Sequence, residues 1–378
     1  MPVFTEDQLD LKQLAHEVAV ERVAPIAEQV ERSGRHPKEI EDLFHELGFL
    51  SLTVPVEYGG AGCGTTEWCI VQEEMGSVSS VAAHILGQNS MNSMLAMLGT
   101  DEQKKKFFPI LAERSAVFMS TEPDAGSDVA GIRTTAVRDG NDYVLNGRKQ
   151  WIGGGGHADF YIVVATLDPS LGAKGLGMFL VDGQETPGIA AEREEDLMGL
   201  RGVSVAEMTL DDVRIPVGNR VGTGIGDFVK FMNAARPTSA AQAVGLANGA
   251  MEYALKYAHE RHQFGQPIYS FQAVSHMLAE MAIQIEAARE LTFSAARAVD
   301  AGDPRAGELA SMAKCFATDM AMRVTTDAVQ CMGASGYSKE HPVERMMRDA
   351  KILQIYEGTN QIQRETVAKL LSRRLIRR

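Results

Sequence analysis

"TTAVRDGNDYVLNGRKQWI", residues 134–152, alternates apolar and polar side chains around Asp139-Gly140 and Asn146-Gly147. A period of two broken by Asp-Gly and Asn-Gly predicts antiparallel strands joined by tight turns. "ADFYIVVAT" (158–166), "GMFLVDG" (177–183) and "VAEMTLDDVRIP" (205–216) continue the strand pattern. No helical period separates them, so the segment predicts a small antiparallel barrel or sandwich rather than a βαβ unit.

Both flanks read differently. Upstream, Thr5 with Gln8 and Thr100 with Gln103 have the spacing of capping boxes, and Leu9, Leu11, Leu14, Ala15 and Val18 recur with a helical period. Pro37 suits a first helical turn, and Gly48 stops the run "KEIEDLFHEL". Downstream, long alanine- and methionine-rich helical stretches (228–261, 270–302 and 305–333) predict a packed bundle. The expected class is α+β, mainly α, with a helical domain at 1–117, a β domain at 118–224 and a helical domain at 225–378.

Composition narrows the function. A chain of 378 residues has ample length for several cores, and its formal charge of −13 disfavours nucleic acid as a partner. The basic end "SRRLIRR" is short and lacks aromatic interleaving. Apolar runs stop well short of a membrane span, so no membrane insertion is expected. Four cysteines without a C-x-x-C pair argue for a reducing compartment and against zinc. The start of the chain has neither a signal-peptide nor a transit-peptide pattern, which makes a cytoplasmic home the simplest expectation.

Several motifs lead nowhere. "HERH" (259–262) has the wrong spacing for H-E-x-x-H, so no metal site is expected; the glycines of "VPVEYGGAGCG" (54–64) do not form G-x-G-x-x-G; and Gly222, Gly224 and Gly226 read as a strand-to-helix link. Two clusters stay open. "STEPDAGSD" (120–128) is either a plain loop or a site, and Glu357, at a break in "YEGTNQIQR" (356–364), is either a helix cap or a catalytic base.

Taken together, "STEPDAGSD", "GRKQWI" (147–152), "ERHQFGQPIYSFQ" (260–272) and "MRDAKILQIYEGTNQIQR" (347–364) closely resemble the signature segments of the acyl-CoA dehydrogenase flavoprotein family. The resemblance runs in order from the first helices to about residue 370. It implies a C-terminal four-helix bundle, FAD as cofactor, and oxidation of an acyl-CoA thioester at Cα and Cβ to the trans-2-enoyl-CoA. Glu357 would remove the α-proton while the β-hydride passes to flavin N5. A desolvated carboxylate suits this role, because burial raises its affinity for the proton. The thioester oxygen would accept a hydrogen bond from the Glu357 N–H and another from the flavin ribityl chain.

The resemblance also implies FAD contacts. Thr121 and Trp151 would meet the isoalloxazine, with Ser127 near both cofactor and CoA chain. Arg261, Phe264 and Gln272 would reach the FAD of a neighbouring subunit, where an arginine fork suits phosphate. Gln330 and Gly333 would approach the same nucleotide through their backbone, and Thr359 and Gln361 would contact it elsewhere. This sharing implies a homotetramer built as a dimer of dimers, and the family's usual electron acceptor is an electron-transferring flavoprotein. Arg236, Tyr356 and Gly358 would border the substrate, with His84, Gly87, Gln88 and Ser90 walling the acyl chain. Ala82 stands near the place of an arginine used for dicarboxylyl groups, so a short, medium, branched or cyclic acyl group is expected. Ala235 stands where some relatives carry an alternative base.

Two departures from the family pattern stand out. Gly153 replaces a Thr or Ser whose hydroxyl bonds near flavin N5, which suggests extra volume there and a flavin served by backbone N–H alone. Ala334 follows Gly333 where Gly is common, which puts local backbone fit in question. Rival readings are an enoyl-CoA reductase or acyl-CoA oxidase with the same site, or a scaffold that kept the fold without turnover.

Overall fold

A computed structural model describes residues 3–87 and 89–376. It opens with α1 (Glu6–Val18), which runs through a π-helical turn (Ala19–Val23) into α2 (Ala24–Ser33). Then come α3 (Lys38–Glu46), α4 (Thr65–Val78), α5 (Ser80–Leu86), α6 (Asn89–Leu98) and α7 (Asp101–Leu111). Both capping boxes form: Thr5 and Thr100 each accept from the backbone N–H three residues on, and Gln8 and Gln103 reach back. Gln103 does more, since its amide donates to the carbonyls of Gly218 (2.8 Å) and Arg220 (2.7 Å) and ties α7 to the end of the sheet.

The middle of the chain forms one eight-stranded sheet from β1 (Ala116–Met119), β2 (Thr135–Asp139), β3 (Asp142–Gly153), β4 (Phe160–Thr166), β5 (Leu176–Asp182), β6 (Ile189–Glu194), β7 (Val205–Pro216) and β8 (Arg220–Val221). Its path is β6-β7-β3-β2-β4-β5-β8, with β1 beside β4. The sheet is mixed rather than wholly antiparallel. β5 pairs along one edge of β4, so β1 (Ala116 opposite Phe160) and β2 (Thr135 opposite Thr166) share the other edge, both parallel to β4. They are two halves of one strand line, broken by the excursion 120–134.

Asp139-Gly140 makes the expected tight turn, with Asp139 opposite Asp142 and Gly140 at φ 62°. Asn146-Gly147 does not. It lies inside β3, where the register against β7 shifts between Leu145 and Gly147, because a residue is accommodated across the ladder at Asp212 (φ 48°). The Asn146 side chain holds this bulge by accepting from Asp212 N (2.8 Å) and donating to Asp212 Oδ1 (3.0 Å). Gly147 is required by crowding, since a Cβ there would meet Thr134 Oγ1 at 2.4 Å.

β4 is buried along its whole length. Phe160, Ile162 and Val164 face Phe107, Phe108 and the methionines of α6, while Tyr161, Val163 and Ala165 face Phe179, Leu145 and Met208. Its alternate side chains thus serve two cores, which is why its sequence is nearly all apolar.

The rest is helical: α8 (Ile225–Glu260), a hairpin of β9 (His262–Gln263) and β10 (Gln266–Pro267), then α9 (Gln272–Asp300), α10 (Ala306–Met332), α11 (Val343–Leu353) and α12 (Asn360–Ile376). Four long helices form the bundle, and the short α11 fills one side. Ala243, Ala247, Ala250 and Ala254 of α8 pack with Met281 and Ile285 of α9 and Met320 and Val324 of α10. No described helix is long and apolar enough to cross a membrane. His259 and His262 are not paired: His259 stacks on Tyr269 with ring centroids 4.2 Å apart, and His262 Nδ1 faces the Glu260 carbonyl.

The first and last domains meet along α4 and α8. A Cβ at Gly245 or Gly249 would lie 2.0 Å from the carbonyl oxygen of Glu73 or Ser77, and one at Gly76 would lie 2.8 Å from the Gln242 carbonyl. Asp300, at the end of α9, accepts from Thr65 N (2.6 Å), Thr66 N (2.9 Å) and Thr66 Oγ1 (2.6 Å) at the start of α4. Buried Glu73 accepts from Arg289 Nε at 2.7 Å. Gly245→Ala should therefore force the two helices apart and cost about 1–3 kcal/mol through overpacking. A lowered urea midpoint checks this; an unchanged one would show that the helices separate freely.

Candidate active site

β3 bulges a second time where the excursion 120–134 meets it. The register against β7 shifts between Lys149 and Ile152, and Gln150 turns its N–H to Thr121 O at 2.9 Å. Trp151 is thrown outward with φ 61° and remains 53% exposed. The loop is anchored beneath. Lys149 is fully buried and donates to Ser120 O (2.9 Å), Glu122 Oε1 (2.8 Å) and Val164 O (2.7 Å). Glu122 also accepts from the N–H groups of Arg133 (2.7 Å) and Thr134 (2.9 Å), so one ion pair ties both ends of the loop to the sheet. Burial lowers the Lys149 pKa to about 8, and Glu122 opposes that shift. The tip, with Ser127, is exposed.

The four glycines after Ile152 are tightly placed rather than slack. Gly154 has φ 77°, and a Cβ there would meet Val117 Cγ1 at 2.7 Å. At Gly156 it would meet Glu194 Oε1 and Ser204 Oγ, both at 2.8 Å. At Gly153 it would meet His84 Nε2 at 2.8 Å. The expected extra volume at Gly153 is therefore absent, because a histidine from α5 fills it.

Glu357 lies in the break between α11 and α12, with φ 55°, followed by Gly358 at φ 83°. Left-handed backbone at a non-glycine residue costs energy and persists only where its surroundings hold it. Here Lys314 Nζ donates to Gly358 O (2.8 Å), and Gln363 Nε2 donates to Glu357 O (3.1 Å) and Gly358 O (2.9 Å). Lys314 also reaches Asn360 Oδ1 (2.9 Å), which opens α12. Tyr356 turns the other way and donates to Gln242 Oε1 on α8 at 2.7 Å. Gln242 in turn donates to Ser80 O on α5 at 3.2 Å.

The charges around Glu357 are cations. Burial pushes its carboxyl above the ordinary carboxylate range, and Lys314 and Arg236 pull it back. Lys314 falls to about 8 through burial, opposed by Glu357. Arg236 donates to Asn233 Oδ1 (2.9 Å) and Ser311 Oγ (3.2 Å), while its buried Nε has no partner among the described residues. Ala235 beside it is buried and offers no second base.

The other expected positions divide into two groups. Gly87 closes α5 and Ser90 lies in the first turn of α6, with Ser90 N donating to Gly87 O; Gln88 lies outside the described residues. Arg261, Phe264 and Gln272 sit at the far end of α8, about 37 Å along the helix from Arg236 at 1.5 Å per residue. Tyr257 Oη donates to Ser335 Oγ at 3.0 Å and brings the exposed Gln330 and Gly333 to that same end. Ala334 is exposed in an ordinary turn, so its methyl does no harm there. Thr359 caps α12 by accepting from Ile362 N, and Gln361 is exposed beside it. Lys149, Gln242 and Lys314 escaped the sequence reading. A lone lysine inside the apolar run "SMAKCFA" was the available signal for Lys314.

Phe264 is 93% exposed at φ 51°, and Trp151 is half-exposed at φ 61°. Two strained aromatics facing solvent suit a flat aromatic cofactor laid against them. Models of the acyl-CoA dehydrogenase N-terminal, middle and C-terminal domains match residues 5–115, 117–213 and 222–372. The chain belongs to the acyl-CoA dehydrogenase family. It is 42% identical over 375 residues to a probable acyl-CoA dehydrogenase of Mycobacterium leprae (97% of this chain, 96% of the relative). It is 43% identical over 378 residues to cyclohex-1-ene-1-carbonyl-CoA dehydrogenase of Syntrophus aciditrophicus (98% and 91%). The solved structure of butyryl-CoA dehydrogenase from Megasphaera elsdenii superposes with a TM-score of 0.94 at 37% identity, covering 98% of this chain and 99% of that one. The protein is thus an oxidoreductase that dehydrogenates an acyl-CoA with FAD.

Lys314→Met should remove a cation that stabilises the Glu357 carboxylate. The acid limb of the kcat/KM profile is then expected to move to higher pH by about one unit. An unmoved limb would show that Lys314 does not act on the ionisation that limits kcat/KM.

Proposed function

We propose that Glu357 is the general base that takes the α-proton of the acyl-CoA. The observation that carries this reading is a desolvated carboxylate on a left-handed turn, flanked by the cations Lys314 and Arg236 and held by its own backbone carbonyl. FAD, when bound, supplies the two-electron acceptor for the β-hydride. Thr121, Trp151 and Gly153 would hold it on the β3 side, with Ser127 at the rim. The Glu357 N–H makes no hydrogen bond among the described residues, which suits a donor to the thioester oxygen. That bond acidifies the α-carbon, whose C–H electrons form the new double bond as the proton passes to the carboxylate. Arg236 and Tyr356 close the cleft against water and keep the base desolvated, and Gly358 lets the acyl-CoA approach the backbone.

Arg261, Phe264 and Gln272, remote from Glu357 in their own subunit, serve the FAD of a neighbour together with Gln330 and Gly333, while Thr359 and Gln361 reach it from α12. This arrangement supports a homotetramer built as a dimer of dimers. The substrate is a short, medium, branched or cyclic acyl-CoA, in keeping with the named relatives and with the buried, uncharged Ala82. Electrons leave to an electron-transferring flavoprotein in the cytoplasm, where the acyl-CoA is degraded.

Anaerobic titration with straight, branched and cyclic acyl-CoA esters tests the reaction. One ester is expected to bleach the oxidised flavin band, and Glu357→Gln is expected to slow bleaching by about 10²- to 10⁴-fold. A variant that bleaches at the wild-type rate would remove Glu357 from the role. Arg261→Ala should lose FAD on gel filtration while its fold, by circular dichroism, persists; full retention of FAD would separate Arg261 from the cofactor.

A further inference from the structure

Glycine at 153 is explained by a residue on another domain. A Cβ there would lie 2.8 Å from His84 Nε2 and 3.0 Å from His84 Cε1, closer than real Cβ atoms come. The edge of the imidazole occupies the volume that a side chain at 153 would fill. Two further contacts place the start of α5 beside the Glu357 turn. Ser80 on α5 is bonded to Gln242, and Gln242 to Tyr356, the neighbour of Glu357. His84 stands four residues beyond Ser80, on the same face of α5 and about 6 Å along it. α5 therefore spans from the Glu357 turn at Ser80 to the end of β3 at His84.

Several features make the ring a wall rather than a charged group. It is half-buried and makes no side-chain hydrogen bond to the described residues. Burial, with a smaller contribution from the neighbouring His36, pushes it down to about 4, so it is neutral through the ordinary assay range.

We infer that His84 and Gly153 are a complementary pair, in which the imidazole from α5 replaces a side chain on β3, presents Nε2 to the cleft between Trp151 and Glu357, and limits the bulk of the acyl group there. The specificity part rests on the reading of Glu357 as the base; the pairing itself does not. His84 is thus a positioning and specificity residue. Its neutral ring offers the cleft one polar edge, where a hydroxyl at 153 would have offered a smaller one.

The test uses His84→Ala, Gly153→Thr and the double variant, each as FAD-loaded protein. Gly153→Thr alone is expected to lower Tm by at least about 3 °C through overpacking. Adding His84→Ala should return most of that loss, because the methyl and hydroxyl then have room. His84→Ala should also move the flavin absorbance maximum and favour bulkier branched or cyclic acyl-CoA esters over butyryl-CoA by about 10-fold in kcat/KM. Additive Tm changes would overturn the pairing, and an unchanged ester preference would overturn the role in specificity. If no ester bleaches the wild-type flavin, the reading of Glu357 fails, while the Tm cycle, which needs no acyl ester, still decides the pair.

Discussion

The close approach of α4 and α8 is the constraint on which the site depends. Gly76, Gly245 and Gly249 let backbone pack against backbone at distances no side chain would permit, and Asp300 and Arg289 of α9 bond α4 from a second side, at Thr65 and at Glu73. Buried charge is costly unless paired, so these bonds hold α4 in one placement against α9, and with it against α8, rather than in a sliding contact. That placement carries α5 to Gln242, and Gln242 to Tyr356. The Glu357 turn is thus positioned through helices far from it in sequence.

The β sheet contributes the opposite wall by being interrupted. β1 and β2 lie on one strand line beside β4, and the chain leaves that line at residue 120 and returns at 134. Lys149 and Glu122 staple the excursion at its base, leaving the tip free and turning the adjacent bulge outward with Trp151 on it. A bulge is a local loss of pairing used to re-aim a side chain. The same sheet that is buried on both sides at β4 is therefore able to display an indole at its rim.

Between these walls the electrostatics are simple. One buried carboxylate faces two cations, both depressed in their own proton affinity by burial. Desolvation raises the proton affinity of Glu357, and Lys314 and Arg236 oppose that rise. Lys314 does a second job, because its donation to Gly358 O holds the left-handed turn. Charge and geometry at the Glu357 turn thus both draw on one side chain.

The helix–strand–helix order, both capping boxes and the Asp139-Gly140 turn were legible in sequence, because local periodicity and cap chemistry act over three or four residues. The resemblance to the family pointed to Glu357 and to the stretches around Thr121 and Trp151. Asn146-Gly147 was misread because the same dipeptide serves a turn or a bulge, and only pairing with β7 across Asp212 decides which. The parallel run of β1 and β2 was hidden for the same reason. Gly153 shows the limit most plainly: its sequence announces a missing side chain, and nothing local says that His84, sixty-nine positions earlier, fills the space. Periodicity and capping are properties of neighbours along the chain, whereas packing volume and the desolvation of Glu357 depend on what folding brings from elsewhere, and only the tertiary structure could decide them.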